Sequence, residues 1–73
     1  NCLALSLTDT PLAGSLLSTD DKRKASADRH PLKRVGDASE VAKAAVFLLG
    51  SDSGFMTGQV MKIDGGISTL KLL

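Results

Sequence analysis

Tryptophan and tyrosine are absent from this chain of 73 residues, and Phe47 and Phe55 are its only aromatics. Any core must therefore be aliphatic, built from Leu, Val, Ile, Ala and Met. Cys2 stands alone, so no internal disulfide can form. In a short apolar run it reads as one more small apolar side chain. Neither sign of charge dominates: nine basic residues face eight acidic ones, for a formal charge of +1. That balance removes the electrostatic case for binding nucleic acid or a membrane surface. No run approaches the roughly 18 apolar residues of a membrane span, and no basic-then-apolar leader opens the chain. These absences point to a cytoplasmic setting and to one small domain at most. Asn rather than Met at position 1 points to a chain that does not begin at a natural start.

The elements that are present follow one another in a readable order. Asn1 to Leu5 is a short apolar run that fits a strand or a helix equally well. Thr10-Pro11 is a helix start, Thr10 capping and Pro11 occupying the first turn, where a missing N–H costs nothing. Leu12, Leu16 and Leu17 then fall on one side of a short helix that Gly14 weakens. Ser18-Thr19-Asp20 opens a second helix over Asp21–Ala27, poor in apolar positions and so exposed, and Pro31 ends it. Its basic residues, Lys22, Arg23 and Lys24, followed by Arg29, Lys33 and Arg34, are interleaved with Asp20, Asp21 and Asp28, which makes a solvated face. Leu32 and Val35 are the expected anchors of the His30–Gly36 connection.

Asp37 to Glu40 has the spacing of a capping box, with Ser39 as an alternative cap. Val41, Ala45, Leu48 and Leu49 recur at helical spacing, with Ala42 beside them, and Gly50 stands where a left-handed C-terminal cap is expected. Ser51–Gly54 is a turn, Phe55 and Met56 are apolar anchors, and Thr57-Gly58 is a second turn. Gln59–Ile63 reads as a half-buried or edge strand, which Asp64-Gly65-Gly66 breaks. An apolar-rich tail, Ile67–Leu73, follows.

Few of these residues invite chemistry on their own. His30, the only histidine, precedes a proline in a connecting loop without a sequence-near partner, and is read as a surface or turn residue. Arg34 pins its loop by pairing with a carboxylate. Asp52 and Asp64 are explained by turn chemistry rather than by a metal. Gly65-Gly66 follows a strand but precedes no helix, so a phosphate cradle does not fit. Thr10 is read as a helix cap, at a helix N-terminus of the kind that also suits an anionic group.

Taken together, the order and spacing of these motifs resemble the C-terminal end of the short-chain dehydrogenase/reductase family. Leu5 and Ser6 stand where the family usually has Pro-Gly. Thr8 stands where the family's backbone meets the nicotinamide carboxamide, and Thr10 where a hydroxyl helps hold the same end of the cofactor. His30-Pro31-Leu32-Lys33-Arg34-Val35-Gly36 resembles its Pro-Leu-x-Arg-x-Gly segment. Glu40-Val41-Ala42 with Val46–Leu49 resembles its next helix. Ser51-Asp52, Thr57-Gly58-Gln59 and Asp64-Gly65-Gly66 complete a likeness that spans nearly the whole chain.

The resemblance implies an α/β architecture: the C-terminal part of a doubly wound Rossmann-like fold, made of a strand end, two lid helices, one long amphipathic helix and a final sheet strand. Residues 1–10 would be the strand end and cofactor-contact loop, 11–36 the substrate-lid region, 37–66 the interface helix and last strand, and 67–73 the tail. In the complete protein the cofactor would be NAD or NADP, met by Leu5, Ser6, Leu7, Thr8 and Thr10. The substrate would be a small carbonyl or alcohol, and the partner a second copy, joined through the 39–49 helix and 59–63 strand. The family's glycine-rich loop and Ser-Tyr-Lys set do not occur in this sequence. No catalytic residue or metal ligand is therefore assigned, and the 73 residues alone are expected to be inactive. The alternative is a non-catalytic remnant or oligomerisation module of the same fold, which the bulkier Leu5-Ser6 pair favours.

Overall fold

Asn1 sets the pairing from which the rest is hung. Its Oδ1 accepts the Gln59 backbone N–H at 2.9 Å, and its Nδ2 donates to the Met56 carbonyl at 3.2 Å. Directly after it, β1 (Cys2–Leu5) runs parallel to β4 (Val60–Ile63), in a register that places Cys2 opposite Val60 and Leu5 opposite Ile63. The ambiguous opening run is thus a strand, selected by a partner 58 residues away in sequence. A computed structural model describes residues 1–70; the last three residues of the expected tail, 71–73, lie outside the described residues.

A second, smaller parallel pair joins β2 (Thr8–Asp9) to β3 (Gly36–Asp37). Between them lies the lid region. Thr10 caps as expected, its Oγ1 accepting the Ala13 N–H at 3.3 Å, with Pro11 at the first position. The element it starts is a single 3-10 turn, Pro11–Ala13, and not a helix. Its bonds reach back three residues, Ala13 N–H to Thr10 carbonyl at 3.0 Å and Gly14 N–H to Pro11 carbonyl at 3.1 Å. So short a stretch, carrying Gly14 and Ser15, does not repay helix nucleation. Leu12 and Leu16 consequently do not share a buried face with Leu17: they are exposed, and Leu17 alone is buried beside Ala13.

The second helix, α1 (Asp20–Asp28), starts where expected, with the Thr19 side chain accepting the Lys22 N–H at 3.1 Å. Among its residues only Ser26 is buried. Arg23 pairs with Asp9 at 3.2 Å on the surface.

The long helix α2 (Ala38–Leu49) opens at Asp37, whose backbone N–H donates to Glu40 Oε1 at 3.0 Å, the returning half of a capping box. At about 100° per residue, Val41, Ala44, Ala45 and Leu48 share one side and are half-buried. Ala42, Val46 and Leu49 continue the stripe outward and are exposed, so Leu49 does not belong with the packed side as the spacing suggested. Gly50 corrects another expectation. It is extended (φ −91°, ψ 175°), not left-handed. A 3-10 turn, Ser51–Ser53, follows at once, and Ser53 Oγ lies 2.9 Å from the Leu48 carbonyl and 3.2 Å from that of Gly50. The helix's last acceptors are met by a hydroxyl, so no left-handed cap is required.

Leu32 and Phe55 are not anchors, being exposed, whereas Val35 and Met56 are half-buried. The described chain measures 42 × 31 × 14 Å, a slab only about one helix-on-sheet layer thick. Its buried apolar side chains are Ala13 and Leu17, while Val46, Leu49, Val60 and several leucines face solvent.

Candidate functional site

The carboxyl ends of β1 and β4 open onto one depression of about 420 Å³. In open α/β sheets this is where ligands sit, because strand ends and their following loops present backbone groups and side chains that the sheet interior cannot. Three stretches wall it: Ser6-Leu7 after β1, the His30–Gly36 connection, and Asp64-Gly65-Gly66 after β4.

Backbone bonds knit the three together. Ser6 N–H reaches the Ile63 carbonyl at 3.4 Å, Gly36 N–H the Leu7 carbonyl at 3.0 Å, and Leu32 N–H the Gly65 carbonyl at 3.1 Å. Gly65 and Gly66 have φ of +60° and +92°, which is why the strand ends there in glycines. They are also small by necessity. A Cβ on Gly65 would lie 3.3 Å from His30 Cβ, and one on Gly66 would lie 3.1 Å from Pro31 Cγ and 2.9 Å from Leu70 Cδ1. The glycine pair is thus a seat for His30-Pro31, and the phosphate role set aside on sequence grounds is not needed to explain it.

Asp64 closes the turn. Oδ1 accepts the Gly66 N–H at 2.9 Å and Oδ2 accepts the Ser68 hydroxyl. The Ser68 hydroxyl, then the Gly66 N–H, hold its carboxyl below the usual carboxylate range. On the opposite wall Arg34 meets Glu40 through both guanidinium nitrogens, at 2.7 and 2.9 Å. This fork and the Asp37 N–H hold the Glu40 carboxyl down at about 2, and the carboxylate raises Arg34 in turn. Arg34 therefore pins its loop as expected. Lys33, between Leu32 and Arg34, carries a left-handed φ of 61°.

His30 is the correction that matters most. It is not a surface or turn residue: 2% of it is exposed, less than of Leu17. Nδ1 lies 2.8 Å from the Ser26 carbonyl oxygen, and Nε2 lies 2.7 Å from Ser6 Oγ. Ser26 and His30 are four apart, a helical spacing visible in the sequence. Ser6, 24 residues away, has no sequence signal that pairs it with either.

Of the five residues singled out for cofactor contact, Ser6 and Leu7 line the depression, whereas Leu5, Thr8 and Thr10 do not. Thr8 is half-buried, its Oγ1 donating to the Ser6 carbonyl at 3.1 Å, and sits opposite Gly36 in the small pair. Thr10 Oγ1 is engaged as the cap. Among the described residues no group of three or more His, Cys, Asp and Glu is placed to hold a metal, and no helix is long and apolar enough to cross a membrane.

Comparison with known proteins brings these features under one heading. The family model described as enoyl-(acyl carrier protein) reductase matches residues 1–68. A tropinone reductase homolog of Arabidopsis thaliana is 38% identical over 68 residues, covering 93% of this chain and 26% of that protein. A 3-oxoacyl-(acyl-carrier-protein) reductase of Chlamydia trachomatis is 41% identical over 68 residues, covering 93% and 27%. Among solved structures, the ligand-free aldohexose dehydrogenase of Thermoplasma acidophilum superposes with a TM-score of 0.81 at 30% identity, over 97% of this chain and 31% of that one. A gluconate 5-dehydrogenase of Burkholderia cenocepacia, in complex with NADP and tartrate, gives 0.79 at 30% identity, over 94% and 27%. The chain spans about a quarter of the length of the curated relatives it matches.

Proposed function

Since the chain belongs to the short-chain dehydrogenase/reductase family, we propose that it is the C-terminal part of an NAD(P)-dependent oxidoreductase acting on a small carbonyl or alcohol. One observation carries this reading beyond family membership. The Leu5–Thr10 stretch is ordered at the carboxyl end of β1, tied to β4 through Ser6 and to β3 through Leu7. The hydroxyls of this stretch suit the amide N–H groups of a nicotinamide carboxamide, which need acceptors. The Thr8 hydroxyl donates inward to the Ser6 carbonyl and keeps acceptor capacity, as does the capping hydroxyl of Thr10. Bound there, a nicotinamide supplies hydride transfer. The chain's own contribution is placement: Ser6 and Leu7 line the depression where the ring's carboxamide end rests, and Leu5, Thr8 and Thr10 belong to the same stretch that holds it. Residues 12–28 cover the substrate and exclude water.

The chain contains no tyrosine. The proton step of this chemistry therefore falls to residues elsewhere in the complete protein, and the 73 residues by themselves are inactive. Pairing of two copies uses α2 and β4, whose exposed Val46, Leu49 and Val60 present an apolar surface of the kind that marks an interface. The test is an assay of the complete protein for carbonyl-dependent oxidation of NADH or NADPH, alongside the isolated chain. Turnover by the complete protein and none by the chain supports the proposal. A complete protein that binds neither dinucleotide and turns over none would leave the remnant reading in its place.

A further inference from the structure

Neither Leu5 nor Ser6 restricts its own backbone as proline does, so the conformation of the loop after β1 depends on its tethers. Its backbone bond to β4, Ser6 N–H to the Ile63 carbonyl, is long at 3.4 Å. The contact between Ser6 Oγ and His30 Nε2 is much closer, at 2.7 Å. His30 is fit to hold it. The ring is buried, Gly65 lies against it closely enough that a Cβ there would meet its Cβ at 3.3 Å, and Nδ1 is fixed at 2.8 Å from the Ser26 carbonyl. A carbonyl oxygen can only accept, so Nδ1 carries the proton. With one proton on the ring, Nε2 is the acceptor, and the Ser6 hydroxyl donates its hydrogen bond to it. Every polar atom of the relay is satisfied, and the direction of each bond follows from the one before.

We propose that His30 is a positioning residue for the cofactor: through the relay from the Ser26 carbonyl to Ser6 Oγ it holds the Ser6-Leu7 loop in the conformation that receives the nicotinamide end of the dinucleotide. This rests on the oxidoreductase reading above. It connects the lid helix α1, which supplies Ser26, to the cofactor wall through one imidazole. It also gives Ser6 a use of its own, in which the hydroxyl and not mere smallness is required.

The test uses the complete protein. Long-range proton–nitrogen NMR, without cofactor, reads the His30 tautomer, and the expected result is a proton on Nδ1. Dissociation constants for NADH and NADPH, KM and kcat, and melting temperatures are then compared for the unsubstituted protein, Ser6→Ala and Ser6→Thr. Ser6→Ala is expected to weaken binding of the preferred dinucleotide roughly tenfold and to raise its KM by a similar factor, with kcat at saturation little changed. Ser6→Thr, which keeps the hydroxyl, is expected to recover most of that loss. A proton on Nε2 alone overturns the proposal, as does Ser6→Ala binding as tightly as the unsubstituted protein, or Ser6→Thr losing as much as Ser6→Ala. An unsubstituted protein that binds neither dinucleotide overturns the oxidoreductase reading itself, and this proposal with it. Binding by the unsubstituted protein with no response to Ser6→Ala removes the positioning role alone.

Discussion

The strand-end hub and the helix α2 solve opposite problems. The hub is polar and closed. His30, Ser26 and Ser6 satisfy one another, Asp64 satisfies its own turn, and glycines at 65 and 66 admit the ring and the proline. Helix α2 is locally well made, capped at Asp37 and finished by Ser53, yet it has no buried residue and an apolar stripe over roughly half its circumference. Hydrogen bonds are directional and are completed by few partners, so a short stretch of chain can close a polar hub. Apolar area is completed only by more area, and the described residues do not supply it. The hub is therefore where this segment specifies a geometry, and α2 is where it presents a surface.

The largest expected effect falls on the surface. Under the proposed pairing through α2 and β4, Val46→Glu with Leu49→Glu in the complete protein should yield single copies, read as a lower mass by light scattering than the unsubstituted protein, while the far-ultraviolet circular dichroism stays the same. An unchanged mass would take this face out of the interface.

The hub should respond in stability instead. Gly66→Ala brings a strained backbone angle together with the Leu70 and Pro31 contacts, and should destabilise by about 2–3 kcal/mol. Gly58 is the control: its φ is +68° but nothing lies within 4 Å of a Cβ there, so Gly58→Ala should cost only about 1 kcal/mol. Equal losses in urea unfolding would mean that the Pro31 seat contributes nothing. Lys33→Gly should move the other way. Relieving a left-handed lysine gains up to roughly 1 kcal/mol, reduced by the entropy glycine adds to the unfolded chain; a lower urea midpoint would contradict the strain.

The smallest effect belongs to the Arg34–Glu40 fork, an exposed pair. The folded Glu40 carboxyl sits at about 2 against an ordinary 4.5. The folded state thus binds its proton less readily than the unfolded chain does. The contribution to stability is present above pH 4.5 and is lost as pH falls from there toward about 2. Glu40→Gln should flatten the stability curve in that window and leave its shape above pH 5 nearly unchanged. Parallel acid limbs for the two proteins would exclude the fork as the cause.

Much of the hub's frame could be read residue by residue, but not its centre. The turn at Asp64-Gly65-Gly66 and the pairing of Arg34 with a nearby carboxylate are local, because their partners lie within a few residues. In sequence, His30 has the look of a turn residue, because nothing near it offers a partner for Nε2. That partner is Ser6, delivered by the parallel pairing of β1 with β4. Leu32 and Phe55 are exposed rather than anchoring for the complementary reason: apolarity says that a side chain gains from burial, not that a neighbour is there to bury it.

By itself the sequence determined the short-range features: Thr10, Thr19 and Asp37 as starts, the termination at Pro31, the amphipathic run of α2, and the break after Ile63. Each follows from steric or hydrogen-bonding rules that act within about four residues. Only the tertiary structure decided that Cys2–Leu5 is a strand and that His30 is buried between two serines. Those outcomes depend on groups brought together by chain closure, and no local rule acts across that separation.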